Sequence, residues 1–252
     1  MSISPFVHLF SVLIFGWLLI SCKDADRPKA GGIELSRDTA TLKSLPIATS
    51  DQPGLQSRQD SIPPPRSYDY DTSQWTEITL AETGIRLDLR YATDSNFMEQ
   101  KVYDCGRCFY RKSVAAALLK VQAELADKGL GLKMFDCYRP APYQQRLWDI
   151  LPDARYVARP SKGSLHSRGA AADLTVVNLQ TGEELDMGTG YDFFGEAAYT
   201  TTTDLPRKVL DNRALFQAAM RKHGFGTIRT EWWHFNFLGP RMELADWVWP
   251  CE

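Results

Sequence analysis

The chain has 252 residues, enough for one domain with a long extension or for two small domains. Its 29 Lys and Arg against 31 Asp and Glu leave a net charge of -2, a balance that argues neither for nucleic-acid binding nor for an acidic tail. With 44% hydrophobic and 12% aromatic residues, it is too apolar for general disorder and too polar for a multi-span membrane protein.

Residues 1–21 contain no Lys, Arg, Asp or Glu, and Phe6 to Ile20 form a mostly apolar run of 15 residues. That is shorter than the roughly 20 residues a spanning helix needs and close to a signal-peptide core. The run stops at Leu19-Ile20-Ser21-Cys22, which resembles a bacterial lipobox. Cleavage before Cys22 exposes its thiol for lipidation, and the acyl chains then hold the protein on a membrane. Only His8 and the terminal amine supply positive charge here, so an uncleaved anchor or an ordinary secretory peptide stays open; each still exports the rest of the chain. Residues 23–72 hold six of the 14 prolines, including Pro63-Pro64-Pro65, and no Phe or Trp. Such a stretch cannot bury a core and reads as a disordered tether. The expected division is a lipoprotein signal peptide at 1–21, a tether at 22–72 and one folded domain at 73–252.

In the folded part, Arg111 to Lys128 place Val114, Ala117, Leu118, Val121 and Leu125 at helical spacing, closed by Gly129. Residues 142–151 predict a second helix after Pro140, and Asn212 to His223 a third, closed by Gly224. Strand-like runs lie at Ile85 to Tyr91, Leu132 to Phe135, Ala171 to Val177 and Trp232 to Phe237. Helices and strands do not alternate steadily, which favours an α+β domain with a central, mainly antiparallel sheet flanked by helices over a doubly wound fold.

Cys105, Cys108, Cys137 and Cys251 remain after Cys22, and four cysteines allow three full disulfide connectivities in an exported protein. Cys105 and Cys108 have the spacing of half a zinc knuckle but no second close pair. Cys137 lies among candidate active-site residues and is expected to be buried and reduced, leaving a bridge within the other three unassigned.

Outside the signal segment there are three histidines, and two sit in unusual company: Ser164-Leu165-His166-Ser167-Arg168-Gly169-Ala170-Ala171-Ala172-Asp173 and Glu231-Trp232-Trp233-His234-Phe235. Imidazole and carboxylate ligands suit Zn²⁺, and three protein ligands with an open fourth position hold a catalytic zinc. The gap from His166 to Asp173 fits a turn around Gly169, with Ala170 to Ala172 admitting a close return strand. Glu231 and His234 are three apart, so a regular strand would set them on opposite faces; a bulge or helical turn is needed to bring both to one ion. Each histidine taken alone is more often a hydrogen-bonded structural residue than a ligand, and the Trp pair more often core than substrate platform. His223, in Arg221-Lys222-His223-Gly224, reads as a helix C-terminal residue favoured by the dipole.

Taken together, Ser164-x-His166-x6-Asp173 and Glu231-x-x-His234 resemble the zinc D-Ala-D-Ala dipeptidases, the group that includes the vancomycin-resistance dipeptidase and is related to zinc D-Ala-D-Ala carboxypeptidases. The likeness extends over Thr76 to Phe237 through Arg90-Tyr91-Ala92-Thr93 with Asn96-Phe97, Asp136-x-Tyr138-Arg139-Pro140, Ser167-Arg168-Gly169, Asp186-Met187-Gly188 and Asp192-Phe193. Trp247 to Glu252 lie outside it.

The resemblance implies one zinc held by His166, Asp173 and His234, with Glu231 as catalytic base and Arg139 as the oxyanion partner. It places Asp192 at the substrate ammonium, Ser164 near the carboxylate and Tyr91 in the pocket, with Asp136 among the substrate-binding residues. The residues themselves leave plainer roles open: an Asp136–Arg139 salt bridge that orients the arginine, Asp192 as a cap near Phe193, and Ser164 as the start of a turn. The implied protein is an exported, membrane-anchored zinc metallopeptidase that cleaves D-Ala-D-Ala in peptidoglycan metabolism. The alternatives are a D,D-carboxypeptidase on stem peptides and a non-catalytic zinc-stabilised binding module; retention of both Glu231 and Arg139 argues against the second.

Overall fold

The computed structural model describes residues 67–154 and 156–251. The expected signal segment, the lipidation site Cys22 and the tether up to residue 66 lie outside the described residues. Packing starts slightly before the expected domain boundary: Tyr70 meets Phe109 edge-on with ring centroids 5.0 Å apart, and Asp69 pairs with Arg107 at 2.6 Å.

The elements follow in chain order as β1 (Trp75–Ile78), α1 (Leu80–Thr83), β2 (Arg86–Leu87), β3 (Cys108–Arg111), α2 (Lys112–Ala126), β4 (Leu130–Asp136), α3 (Ala141–Ile150), β5 (Ala171–Asn178), α4 (Arg207–Lys222), β6 (Phe225–Thr227) and β7 (His234–Phe237). Five strands form the central sheet in the order β2-β4-β5-β7-β6, with β2 parallel to β4 and every other pairing antiparallel. A separate antiparallel pair joins β1 to β3. This is the α+β architecture that the element pattern predicts.

Two helices cover the sheet because their apolar stripes need it. On α2, Val114, Leu118, Val121 and Leu125 are fully buried against β4 and α4. The chain then reverses through Gly129 at φ 71, a left-handed conformation that suits glycine. Helix α4 starts five residues earlier than its periodicity suggests: Val209 and Arg213 extend the buried face toward Phe216 and Met220 behind a polar Arg207-Lys208 start. In β5 every residue except the last is buried, as befits the central strand. The run from Ile85 to Tyr91 is strand only at Arg86–Leu87; Arg90–Ala92 then turn as a 3-10 helix that carries Tyr91 inward.

A second cluster is aromatic and joins Trp75, Tyr91, Tyr103, Phe109, Tyr138, Tyr143 and Trp249. The C-terminal segment therefore belongs to the domain: Trp249 is buried, and Trp247 stacks on Tyr138 with planes 5° apart.

The expectation of a reduced Cys137 is corrected. Cys137 pairs with Cys108, and Cys105 with Cys251. Tyr138 N–H donates to Phe109 O at 3.0 Å, which lays the chain after β4 beside β3 and brings the Cα atoms of Cys108 and Cys137 to 5.3 Å, within bridging range. With Cys105 and Cys108 in different bridges, a zinc knuckle is excluded.

Candidate active site

A local irregularity in the sheet aligns the acidic groups. Met134 is the register partner of Leu174, so regular pairing would set Phe135 opposite Asp173, and a bulge at Phe135 sets Asp136 there instead. Asp173 is in turn the partner of His234. Cross-strand partners share a face, so Asp136, Asp173 and His234 form one row over β4, β5 and β7. His166 arrives from a 3-10 turn, His166–Arg168, that ends on Gly169 at φ 64. Trp75 packs so closely on Gly169 that a Cβ there would sit 2.6 Å from its ring. Glu231 precedes the turn through Trp232 and Trp233, and β7 begins only at His234. That turn meets the geometric demand of the three-residue spacing, and Glu231 Oε2 lies 3.7 Å from His234 Nδ1.

His166 Nε2, Asp173 Oδ1 and His234 Nδ1 form a triangle with sides of 3.4, 2.9 and 3.4 Å. Tetrahedral ligands at zinc bond lengths of 2.0–2.1 Å stand about 3.3 Å apart, so the donor set fits such an ion. The outer contacts agree. His166 Nδ1 donates to Cys137 O at 2.8 Å, and His234 Nε2 faces Asn236 Oδ1 at 2.8 Å. Each ring thereby turns its other nitrogen, with its lone pair, toward the shared point, while Tyr191 OH donates to Asp173 Oδ2 at 3.1 Å. Burial disfavours the Asp173 charge, yet the two imidazoles outweigh it and hold its carboxyl well below the usual range. Burial pulls His234 down, and the hydrogen bond and charge of Asp173 more than offset this, so the anionic Asp173 favours a positive charge at Nδ1, whether a proton or a metal ion in its place.

Asp136 does not reach the cavity. It is fully buried, accepting from Tyr103 OH at 2.6 Å and Cys137 N at 2.9 Å, and from Arg139 Nε at 3.0 Å and Nη2 at 2.5 Å. Burial penalises the Arg139 charge, but Asp136 reverses the sign and keeps the guanidinium firmly protonated. Arg139 Nη1 also donates to Gln144 Oε1 at 3.0 Å. Three of the five N–H donors of the guanidinium are thus committed, and its face lies 5.1 Å from the Tyr91 ring.

A cavity of about 160 Å³ unites the rest: His166, Asp173, His234, Glu231, Arg139, Ser164, Asp192 and Tyr91 all line it. It is smaller than the hundreds of Å³ that a drug-sized ligand needs. Phe97, Tyr156 and Phe194, from three separate loops, line it as well, with Phe194 centred 5.0 Å from Phe97 and 4.4 Å from Tyr156, and a hollow of about 440 Å³ borders the same Tyr156, Phe194 and Glu231. A larger hollow of about 710 Å³ lies beside Arg107 and Cys251 and holds none of these groups. Asp192 has φ 58 and accepts from Tyr91 OH at 3.2 Å; burial, then the charge of Asp173, pushes its pKa well up. Burial likewise raises Glu231, against the pull of His234. Ser164 Oγ accepts His166 N–H at 3.2 Å, so it shapes the turn and lines the cavity at once. His223 caps α4 as expected, and its Nε2 lies 2.9 Å from Glu124 Oε2, away from the site.

Several supporting residues escape sequence reasoning. Tyr103, Gln144 and Tyr191 act across the fold and carry no local signal; Asn236 is two residues from His234 and readable from strand periodicity. A family profile described as D-ala-D-ala dipeptidase (Peptidase_M15) matches residues 72–246. The chain is similar to the D-alanyl-D-alanine dipeptidase of Escherichia coli K12, with 36% identity over 166 residues that cover 66% of this chain and 86% of that protein. It is similar also to the D-alanyl-D-alanine dipeptidases of Streptomyces coelicolor, 36% identical with 66% and 92% covered, and Enterococcus faecalis, 32% identical with 62% and 87% covered. With its His-Asp-His triangle at one end of the sheet, the chain belongs to the Peptidase_M15 D-Ala-D-Ala dipeptidase family.

Proposed function

We propose that this protein is an exported zinc dipeptidase that hydrolyses D-Ala-D-Ala to two D-alanines, serving peptidoglycan metabolism. The observation that carries it is the convergence of the ligand triangle, Glu231 and Arg139 on one cavity of about 160 Å³. His166, Asp173 and His234 would hold the ion, which would supply Lewis acidity for the scissile carbonyl and lower the pKa of the attacking water toward about 7.

The other roles belong to the chain. Glu231 takes the proton of the attacking water on its carboxylate and returns it to the departing amine, work that suits a carboxylate whose pKa burial raises. Arg139, locked by Asp136 and Gln144, turns its two uncommitted N–H donors to the oxygen that gains charge. Asp192, with Tyr91 as its hydrogen-bond donor, receives the substrate ammonium, whose charge stabilises the buried carboxylate. The Ser164 hydroxyl donates to the terminal carboxylate. Phe97, Tyr156 and Phe194 give the cavity an aromatic wall, and its small volume suits a dipeptide.

The two-imidazole, one-carboxylate donor set, one of those that hold catalytic zinc, supports zinc as the metal. Two disulfides support export, since such bonds persist in oxidising compartments. Cys22 is the proposed lipid anchor and residues 22–72 the proposed tether, whose last residues, Asp69 and Tyr70 among them, already pack on the domain. The test is D-alanine release from free D-Ala-D-Ala beside a stem pentapeptide. The dipeptidase cleaves the first and spares the second; cleavage of the pentapeptide alone would make it a D,D-carboxypeptidase, and zinc without turnover a binding module.

A further inference from the structure

Arg213 lies on α4, outside the cavity, and is 4% exposed. Its guanidinium meets Met187 O from Nε at 2.8 Å and from Nη2 at 2.5 Å, Ala197 O from Nη2 at 2.8 Å and Tyr199 O from Nη1 at 3.2 Å. Among the described residues no carboxylate forms an ion pair with it. Burying a guanidinium with no anion in contact is unfavourable, so three carbonyl dipoles must stand in for one, helped by the charge of Asp186 nearby. An apolar side chain would fill the same slot between Val209 and Phe216 at lower cost. What only a guanidinium does here is gather carbonyls from two places.

Those places are the two ends of one loop. Met187 opens it, Ala197 and Tyr199 close it, and between them lie Tyr191, Asp192 and Phe194. The opening end is fixed further: Asn212 Nδ2 donates to Asp186 O at 2.9 Å, and Trp232 Nε1 to Thr189 Oγ1 at 2.8 Å. Asp186-Met187-Gly188, a motif without a catalytic role, gains a purpose. Asp186 Oδ1 accepts Gly188 N–H at 2.8 Å, and Gly188 takes φ 82 with Val209 so close that a Cβ would lie 2.9 Å from it. This turn presents the Met187 carbonyl to α4.

We propose that Arg213 is a positioning residue for the amino end of the substrate: by tying both ends of the loop to α4 it fixes Asp192 against Tyr91 OH and Tyr191 against Asp173 Oδ2. The inference rests on the dipeptidase reading, in which Asp192 receives the ammonium.

The test compares Arg213→Met and Arg213→Lys with the wild-type protein and with Asp192→Asn. Kinetics are measured on D-Ala-D-Ala and on N-acetyl-D-Ala-D-Ala, which lacks the ammonium, together with bound zinc and melting temperature. The expected result for Arg213→Met is a KM for the free dipeptide raised about tenfold or more with kcat within about threefold, a signature of lost binding. The free-to-acetylated preference falls toward that of Asp192→Asn, zinc stays stoichiometric, and Arg213→Lys is intermediate. If Arg213→Met does not fold, Thr189→Val, which frees the same loop from Trp232 without opening the core, carries the same KM-directed expectation. A lowered melting temperature with unchanged KM and unchanged preference would overturn the proposal and leave Arg213 a stability residue. A wild-type protein inert toward D-Ala-D-Ala sinks the dipeptidase reading itself, whereas an active wild type with unaffected variants sinks this inference alone.

Discussion

Asp136→Asn keeps the shape of a fully buried side chain and removes its charge. Its amide retains an oxygen for Tyr103 OH and Cys137 N–H, now at 2.6 and 2.9 Å, but turns an NH₂ toward the Nε and Nη2 donors of Arg139. Donor then faces donor, and the guanidinium stays buried without an anion. Breaking a buried pair from one side costs about 3–5 kcal/mol. For a domain of this size each kcal/mol moves the melting temperature by about 2–4 °C, so a fall of about 6–20 °C is expected. Arg139 is also released from its place on the cavity wall, and loss of a positioned oxyanion donor lowers kcat by about 10²- to 10³-fold. Leu118→Ala is the control: Leu118 is fully buried on α2, away from the cavity, and its truncation costs about 2–5 kcal/mol without touching turnover of the folded fraction. Equilibrium urea unfolding and D-alanine release, both measured where each variant is folded, separate the two effects. Wild-type stability in Asp136→Asn, or destabilisation with wild-type kcat, would refute the reasoning.

Replacing Cys105 and Cys251 together by Ser opens a loop of 146 residues, for which chain entropy sets a ceiling of about 5 kcal/mol and experience about 2–4. The variant should melt lower than the oxidised wild type while its folded fraction turns over normally, and a wild-type melt indifferent to reductant would contradict this. Gly169→Ala forces a side chain into φ 64 against Trp75, costing at least about 1–3 kcal/mol and displacing the adjacent His166 turn, which calorimetric zinc titration will show as weakened binding. At Asp88 burial raises the pKa, but Lys133 and Arg90 outweigh it and the net shift is downward. Its stabilisation is complete above the unfolded value of about 3.9 and lost as pH falls through the lower folded value; screened by solvent it amounts to about 1 kcal/mol or less. Urea unfolding of Asp88→Asn should therefore lose less stability between pH 6 and pH 3 than the wild type does.

The candidate site was legible because its residues lie close together in the sequence. His166 and Asp173 lie seven residues apart, Glu231 and His234 three, and imidazoles are scarce enough in this chain for two of them to stand out. Strongly periodic segments, α2 and β5 above all, were legible for the same local reason. What stayed hidden depends on distant segments meeting. The bulge at Phe135 decides that Asp136 shares the Asp173 face, yet no residue there announces it. Cys137 read as a packing residue because its partner lies 29 positions away and meets it only once β3 lies beside the chain after β4. Tyr103, Gln144 and Tyr191 look like ordinary core or surface residues until the fold sets them against Asp136, Arg139 and Asp173. Trp247 and Trp249, beyond the matched family segment, become core only because the C-terminal strand of chain folds back over Tyr138 and Tyr103.

The central claim, that Glu231 moves the proton beside a metal held by His166, Asp173 and His234, is tested most directly by Glu231→Gln. Purified variant and wild type are compared for bound zinc and for D-alanine released from D-Ala-D-Ala in a single turnover. The account predicts equal, stoichiometric zinc in both, with turnover in the variant reduced by about 10²- to 10⁴-fold, the span assigned to a positioned general base. Undiminished turnover in the zinc-loaded variant would contradict it.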